Sequence, residues 1–392
     1  MFWSLRSKVT LLLLAIGTLV VIIAVIGLRF YGDDEHREAP LSALSMTDFL
    51  SADSQSDQGF ARARPDYTLV FPRDHLAHPA FRSEWWYLNG NLWRRDDPDH
   101  HLGFQFTIFR QALAVSDPAG KQAVNQWLQP QFYMGHIALA DFRRGVHLSA
   151  ERFSRQGPGL AGSSGEPPGI WLESWNLKSS SDQALFPALV TAGDPAKGFS
   201  YQLRLISEKP KVLQGSNGYS PKRPEPGFAS YYYSFTRLRV EGVVQIAGES
   251  VPVSGLAWYD HEWSSNSLAQ YQTGWDWFSL QLDDGREMMF IVLRSDSGKQ
   301  DFRQVSLIDK SGVRLPLEPD QVDMQATGIW RSPAGVSYPS GWRIKVPYYG
   351  LDLEIIPRHK DQENRLSVRY WEGAVEVTGS HRGEGYVELT GY

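Results

Sequence analysis

The chain reads as an all-β protein carried behind one N-terminal apolar helix. Three observations lead there: a 20-residue run without a charge near the N terminus, period-two alternation of apolar and polar side chains after residue 66, and no long amphipathic helical pattern beyond that point.

The apolar run, Val9 to Leu28, is bounded by Lys8 and Arg29. At about 1.5 Å per helical residue it spans about 30 Å, the thickness of a bilayer core. Arg6 and Lys8 precede it, and Asp33, Asp34 and Glu35 follow. This charge order keeps residues 1–8 in the cytoplasm and sends the C-terminal body outward. A cleaved signal has a shorter apolar core of about 7–15 residues and a small-x-small cleavage site. Gly27-Leu28-Arg29-Phe30-Tyr31 offers none. The expectation is an uncleaved, single-pass anchor over 9–28 in a bacterial inner membrane, with the body in the periplasm or outside the cell. Residues 29–65, acidic and then rich in Ser, Asp and Gln, read as a linker.

In the body, Tyr201, Leu203 and Leu205 alternate with Gln202 and Arg204, and Phe278, Leu280 and Leu282 with Ser279 and Gln281. Trp342, Ile344 and Val346 form a third such set, and Leu351, Leu353 and Ile355 a fourth. These are half-buried strands. Asp283-Asp284-Gly285-Arg286 and Asp309-Lys310-Ser311-Gly312 supply hairpin turns. Gln156 to Gly169 and Lys209 to Gly227 are rich in Gly and Pro and read as long loops. A weak repeat divides the body into domains at 66–249 and 250–392. Glu84-Trp85 and Asp276-Trp277 each open a strand whose hairpin partner ends in an arginine, Arg110 or Arg294. An arginine over each tryptophan would cap the end of a barrel through cation–π contact.

Composition narrows the chemistry. With no cysteine there is no disulfide, thiolate metal site or cysteine nucleophile. A net charge of −5 gives no reason to expect nucleic acid. Fourteen Trp, 17 Tyr and 19 Phe either build β cores or line a site for an apolar or sugar-like ligand. No Gly-x-Ser-x-Gly elbow supports a serine nucleophile, and no short histidine motif supports a metal among His75, His78, His136 and His261. No metal and no cofactor are expected.

If Trp258 to Trp263 is a strand, Trp258, Asp260 and Glu262 share one face and Tyr259, His261 and Trp263 the other. Two carboxyls beside a tryptophan can raise one pKa and make a general acid. Trp258, Trp277, Tyr231 and Tyr233 are candidate ring donors to a developing carbocation. Glu84 and Asp276, each beside tryptophans, read either as pocket carboxylates or as ion pairs, with Arg110 or Arg82 for Glu84 and Arg294 for Asp276.

Six ordered segments carry a family resemblance: His78-Pro79 through Glu84-Trp85-Trp86-Tyr87, Gly103 to Arg110, Ala229 to Ser234, Gly255 to Trp263, Gly274 to Trp277, and Tyr370-Trp371-Glu372-Gly373, closed by Glu388-Leu389-Thr390-Gly391-Tyr392. Together they resemble the AttH-like, lipocalin-like family of predicted secreted hydrolases, which is similar to the carotenoid 1,2-hydratase (hydroxyneurosporene synthase) family. The resemblance implies two lipocalin-like β-barrels packed side by side. It also puts Asp260 on the aspartate expected to be catalytic in the hydratases. The chain departs from the hydratases at Tyr231 to Tyr233, where they carry His and Trp.

The leading expectation is a membrane-anchored protein binding a lipophilic, isoprenoid or lipid-like molecule. Its pocket would be lined by Glu84, Trp85, Tyr231, Tyr233, Trp258, Asp276 and Trp277. A membrane transporter is a conceivable partner. The enzymatic alternative is a hydratase or hydrolase using Asp260, with Glu262 beside it, as general acid. A further alternative is glycan binding on exposed tryptophan platforms.

Overall fold

The computed structural model describes residues 59–115, 130–223, 227–265, 271–297 and 300–392. The expected anchor at 9–28, and the linker up to residue 58, lie outside them. Among the described residues no helix is long and apolar enough to cross a membrane.

The alternating segments are strands, and helix among the described residues is confined to 3-10 turns such as Arg73–His75 and Pro319–Gln321. The first sheet contains β1 (Ser83–Arg94), β2 (His101–Ala112), β3 (Gln131–Asp141), β4 (Val146–Arg155), β5 (Ala161–Gly165), β6 (Pro168–Leu172) and β7 (Trp175–Ser179). It continues with β8 (Ala188–Asp194), β9 (Phe199–Ser207), the short β10 (Val212–Leu213) and β11 (Tyr219–Pro221), then β12 (Ala229–Ile246) and β13 (Glu249–Ser264). Its order, β4-β3-β2-β1-β13-β12-β9-β8-β7-β6-β5, curls into a nearly closed barrel.

The second sheet begins with β14 (Gln272–Leu282), β15 (Glu287–Ser295), β16 (Gln300–Ile308), β17 (Arg314–Leu315) and β18 (Asp323–Ala326). A separate ribbon, β19 (Ile329–Arg331) and β20 (Ser337–Pro339), precedes β21 (Trp342–Val346), β22 (Leu351–Pro357), β23 (Glu363–Arg365), β24 (Arg369–Gly379) and β25 (Gly383–Leu389). The order β17-β16-β15-β14-β25-β24-β22-β21-β18 is a half-barrel, whose edge strands β17 and β18 do not pair with each other. The strand expected to open the second domain, β13, pairs with β1 and β12 of the first sheet.

Both predicted turns form. Gly285 and Gly312 take φ of 85° and 88°, a region open to glycine because it has no Cβ. The two expected long loops carry strands instead. Gln156–Gly169 contributes β5 and the start of β6, with the Gly-Pro cluster as the hairpin turn and Ile170 and Leu172 buried beyond it. Lys209–Gly227 contributes β10 and β11, which pair with β12. The internal repeat is visible as topology, since β1 and β14 stand fourth in their sheets. The expected cation–π caps are replaced by ion pairs. Arg110 donates to Glu84 at 2.7 Å, and Arg294 donates to Asp276 at 3.0 Å while its guanidinium lies 3.7 Å over the ring of Tyr392. A carboxylate within reach of a buried guanidinium outcompetes an aromatic face, because the charge-assisted hydrogen bond is the stronger contact.

The strand β1 is buried on both faces along most of its length. In β1, Trp86, Leu88 and Leu92 pack into the barrel interior, while Tyr87 packs towards the second sheet with Tyr232, Trp258, Trp277 and Tyr386. The seam between the sheets is tied by polar contacts. Gln281 donates to the carbonyls of Thr236 (2.8 Å) and Ala257 (3.0 Å), and Gln105 to Tyr370 at 2.8 Å. Lys209 and Arg237 of the first half converge on Glu287 of the second at 2.7 and 2.5 Å, with Glu287 fully buried.

Removing Glu287 strands two poorly solvated cations, which costs about 3–5 kcal/mol. Glu287→Ala should therefore lower the unfolding midpoint strongly in denaturant titrations. Arg343→Ala, which breaks the exposed Arg343–Asp352 pair, should leave it essentially where it is. Equal effects of the two changes would contradict this account of the seam.

Candidate functional site

The strand alternation of β13 holds. Tyr259, His261 and Trp263 face the barrel interior, and Trp258, Asp260 and Glu262 face the seam. Register then decides which neighbours meet them. On β12, Tyr232 lies opposite Glu262 and Ser234 opposite Asp260, and on β1 Trp85 and Tyr87 lie opposite the same two acids. The second sheet contributes Trp275 and Trp277 from β14, Ile291 and Leu293 from β15, and Glu388 from β25. Between them is a mostly apolar recess of about 640 Å³, the solvent at its open mouth included.

Asp260 is almost completely buried and accepts three hydrogen bonds. Ser234 Oγ (2.5 Å) and Trp258 Nε1 (2.7 Å) donate to Oδ1, and Tyr232 Oη (2.8 Å) to Oδ2. Burial pushes its pKa up to about 7, the nearby charge of Glu262 adds to the rise, and the three donors oppose it. Glu262 accepts from Ser230 Oγ and is ion-paired with Lys222 Nζ at 2.7 Å. Lys222 is itself buried, with its ammonium 5.3 Å from the centre of the Tyr232 ring.

Across the seam, Glu372 and Glu388 face each other on β24 and β25. Tyr87 Oη donates to Glu372 Oε1 at 2.6 Å, so the first sheet reaches over to this pair. Burial raises Glu388 to about 8, with the charge of Asp260 adding to it and a hydrogen bond from Trp275 opposing. Burial and the charge of Glu388 raise Glu372 well above the usual carboxyl range. Near neutral pH this group of acids holds protons that water-exposed carboxyls would have lost.

The other expected site residues fall elsewhere. Glu84 points into the barrel, fully buried. Its Oε2 accepts from Arg110 Nε (2.7 Å) and the His78 backbone N–H (2.8 Å), its Oε1 from His78 Nδ1 (2.7 Å) and His261 Nε2 (2.8 Å). Burial alone would raise Glu84, yet the charges of Arg110 and His78 hold it well below the carboxyl range. His78, Glu84 and His261 bring three possible metal-ligand atoms within 4.8 Å of one another. The same side chains form the hydrogen bonds of both histidines to Glu84 and its ion pair with Arg110. Tyr231 and Tyr233 also face the barrel, Tyr233 accepting or donating at His75 (2.7 Å) and His261 (3.1 Å). Asp276 lies on the opposite face of β14 from Trp275 and Trp277, held by Arg294 and by Tyr392 Oη at 2.8 Å. Glu84, Asp260 and Asp276 therefore do not converge. Asp260, Glu262, Trp85, Trp258 and Trp277 do. Tyr232, Tyr87, Lys222, Glu372 and Glu388 join them without having been assigned a role from sequence. Alternation alone would have put Tyr232 on the opposite face from Tyr231 and Tyr233, but only the β12–β13 register says which face meets Asp260.

The AttH-like family model matches residues 62–392. The crystal structure of an AttH protein from Nitrosomonas europaea superposes with a TM-score of 0.74 at 34% identity, covering 85% of this chain and all of that one (100%). Kievitone hydratase from Nectria haematococca shares the fold at a TM-score of 0.59 and 13% identity, over 85% of this chain and 98% of its own. Comparison with curated proteins finds no match.

The raised carboxyls make stability depend on pH with a definite sign. Asp260 and Glu388 bind protons more tightly in the folded than in the unfolded chain. Their contribution is complete below about pH 4 and disappears as pH rises through about 7 to 8. For Asp260 a rise of about 3 units corresponds to about 4 kcal/mol at most. Denaturation midpoints should fall between about pH 4 and 8, and the fall should be shallower in Asp260→Asn and in Glu388→Gln. A slope unchanged in both variants would mean that neither carboxyl is protonated in the native state.

Proposed function

From the premise that the chain belongs to the AttH-like family, we propose that it binds a lipophilic molecule in the recess between its two sheets. The observation that carries this reading is the lining itself: Trp85, Phe109, Trp277, Ile291 and Leu293 surround a cleft open to solvent. The barrel interior, the usual ligand place in a lipocalin-like fold, is filled by side chains such as Trp86, Tyr233, Tyr259 and Trp263. Trp258 and Trp277 are buried, which suits an enclosed apolar ligand better than a sugar stacked on an exposed platform. The uncharged run Val9–Leu28 supports a supply of ligand from a bilayer, with a transporter as a conceivable donor or acceptor.

A second reading, acid-catalysed addition of water to a C=C bond, is favoured by the chemistry of Asp260. A protonated Asp260 gives its proton to one alkene carbon, forming a C–H bond and a carbocation at the other. The faces of Trp277 and Tyr232 stabilise that cation, water attacks it to form the C–O bond, and the proton lost from that water restores the acid. Tyr232, Trp258 and Ser234 then serve to steady the carboxylate between the two proton transfers.

Incubating the full-length protein with geranylgeraniol and with palmitate should quench tryptophan fluorescence, and native mass spectra should show retained ligand. Trp277→Ala should weaken binding about tenfold or more. If no isoprenoid or acyl compound is retained, the binding reading fails. For the enzymatic reading, Asp260→Asn should cut turnover by about 10²–10⁴-fold with ligand affinity preserved. Full activity in that variant would remove Asp260 from the mechanism.

A further inference from the structure

The recess contains more acid than an apolar ligand needs. Asp260 and Glu388 lie in its wall, each more than nine-tenths buried. Glu372 stands behind Tyr87, with Oε1 accepting from the phenol and Oε2 without any hydrogen-bond partner. Among the described lining residues the cationic side chain is Lys222, and its charge is already matched by Glu262 at 2.7 Å. Three carboxyls are thus left without a counter-charge, and burial keeps them protonated well above the usual carboxyl range. A cleft meant for neutral hydrocarbon alone would be more stable with leucine or methionine in their places.

The rings supply the second half of the argument. Trp85, Trp275, Trp277 and Tyr232 line the same recess. Aromatic faces beside carboxylates, in a space poor in water, are how proteins hold ammonium groups. We infer that the recess is built to receive a positively charged centre on an otherwise apolar ligand, of the alkylammonium class. The inference rests on the recess being the ligand site and specifies what enters it. The cation takes the place of one proton on the acids. Asp260 and Glu388, which line the recess, share the loss of that proton, and Glu372 keeps its hydrogen bond from Tyr87. Lys222 and Glu262 keep their mutual pair, and Tyr87 and Tyr232, raised well above the ordinary phenol range by burial, stay neutral.

The test compares benzyltrimethylammonium with its uncharged isostere neopentylbenzene on the full-length protein, by titration calorimetry in two buffers of different ionisation enthalpy. At about pH 8.5 the cation should bind at least tenfold tighter than the isostere, and towards about pH 6 it should lose affinity and release up to one proton per cation bound. Glu388→Gln should lower cation affinity at least tenfold more than isostere affinity. Circular dichroism and the isostere itself report whether the variant is folded. Equal affinities, or a cation affinity that does not vary with pH, overturn this inference while leaving the apolar site intact. Binding of neither compound overturns the inference together with the site on which it rests.

Discussion

The rest of the structure depends on one constraint: where the first sheet meets the second, its strands have no solvent face. In β1, in residues 229–236 of β12 and in residues 257–264 of β13, the inner residues fill the barrel and the outer ones meet the second sheet. Polar groups on these stretches need their partners inside the protein. This explains the abundance of tryptophan and tyrosine, which combine a large apolar surface with one hydrogen-bonding atom. It also explains why acids on adjacent strands end in such different states.

Glu84 and Asp260 make the point. Both are buried carboxyls in one sheet, on strands that pair with each other. Glu84 faces inward, where Arg110 and two histidines satisfy it as an anion. Asp260 faces the seam, where its three donors are neutral and the nearest charges are those of other acids. A change of strand face therefore separates a structural ion pair from a carboxyl able to carry a proton near neutrality. The second half repeats the contrast, with Asp276 locked by Arg294 and Glu388 left beside the recess.

How much of this was legible in the sequence follows the same division. Period-two alternation marked the strands, both Gly-containing turns, and the face shared by Trp258, Asp260 and Glu262, because that information is local. The acid–tryptophan openings at Glu84 and Asp276 correctly marked equivalent strands. Choosing Tyr231 and Tyr233 over Tyr232 required the long-range register of β12 on β13, which no local pattern encodes. Glu372 and Glu388 stood in plain view within their motifs. Their significance depends on facing each other and Tyr87 across some 285 residues of chain, a fact that belongs to the tertiary fold. Gly- and Pro-rich stretches misled for a related reason, since short strands such as β5 and β10 form only because a neighbouring strand is there to template them.

The repeat of the acid–arginine pair has a consequence for independence. Each pair, Glu84 with Arg110 and Asp276 with Arg294, joins neighbouring strands of a single sheet. The recess is different in kind: its acids and rings come from both sheets, and neither sheet alone encloses it. Its lining can therefore be varied without touching either pair.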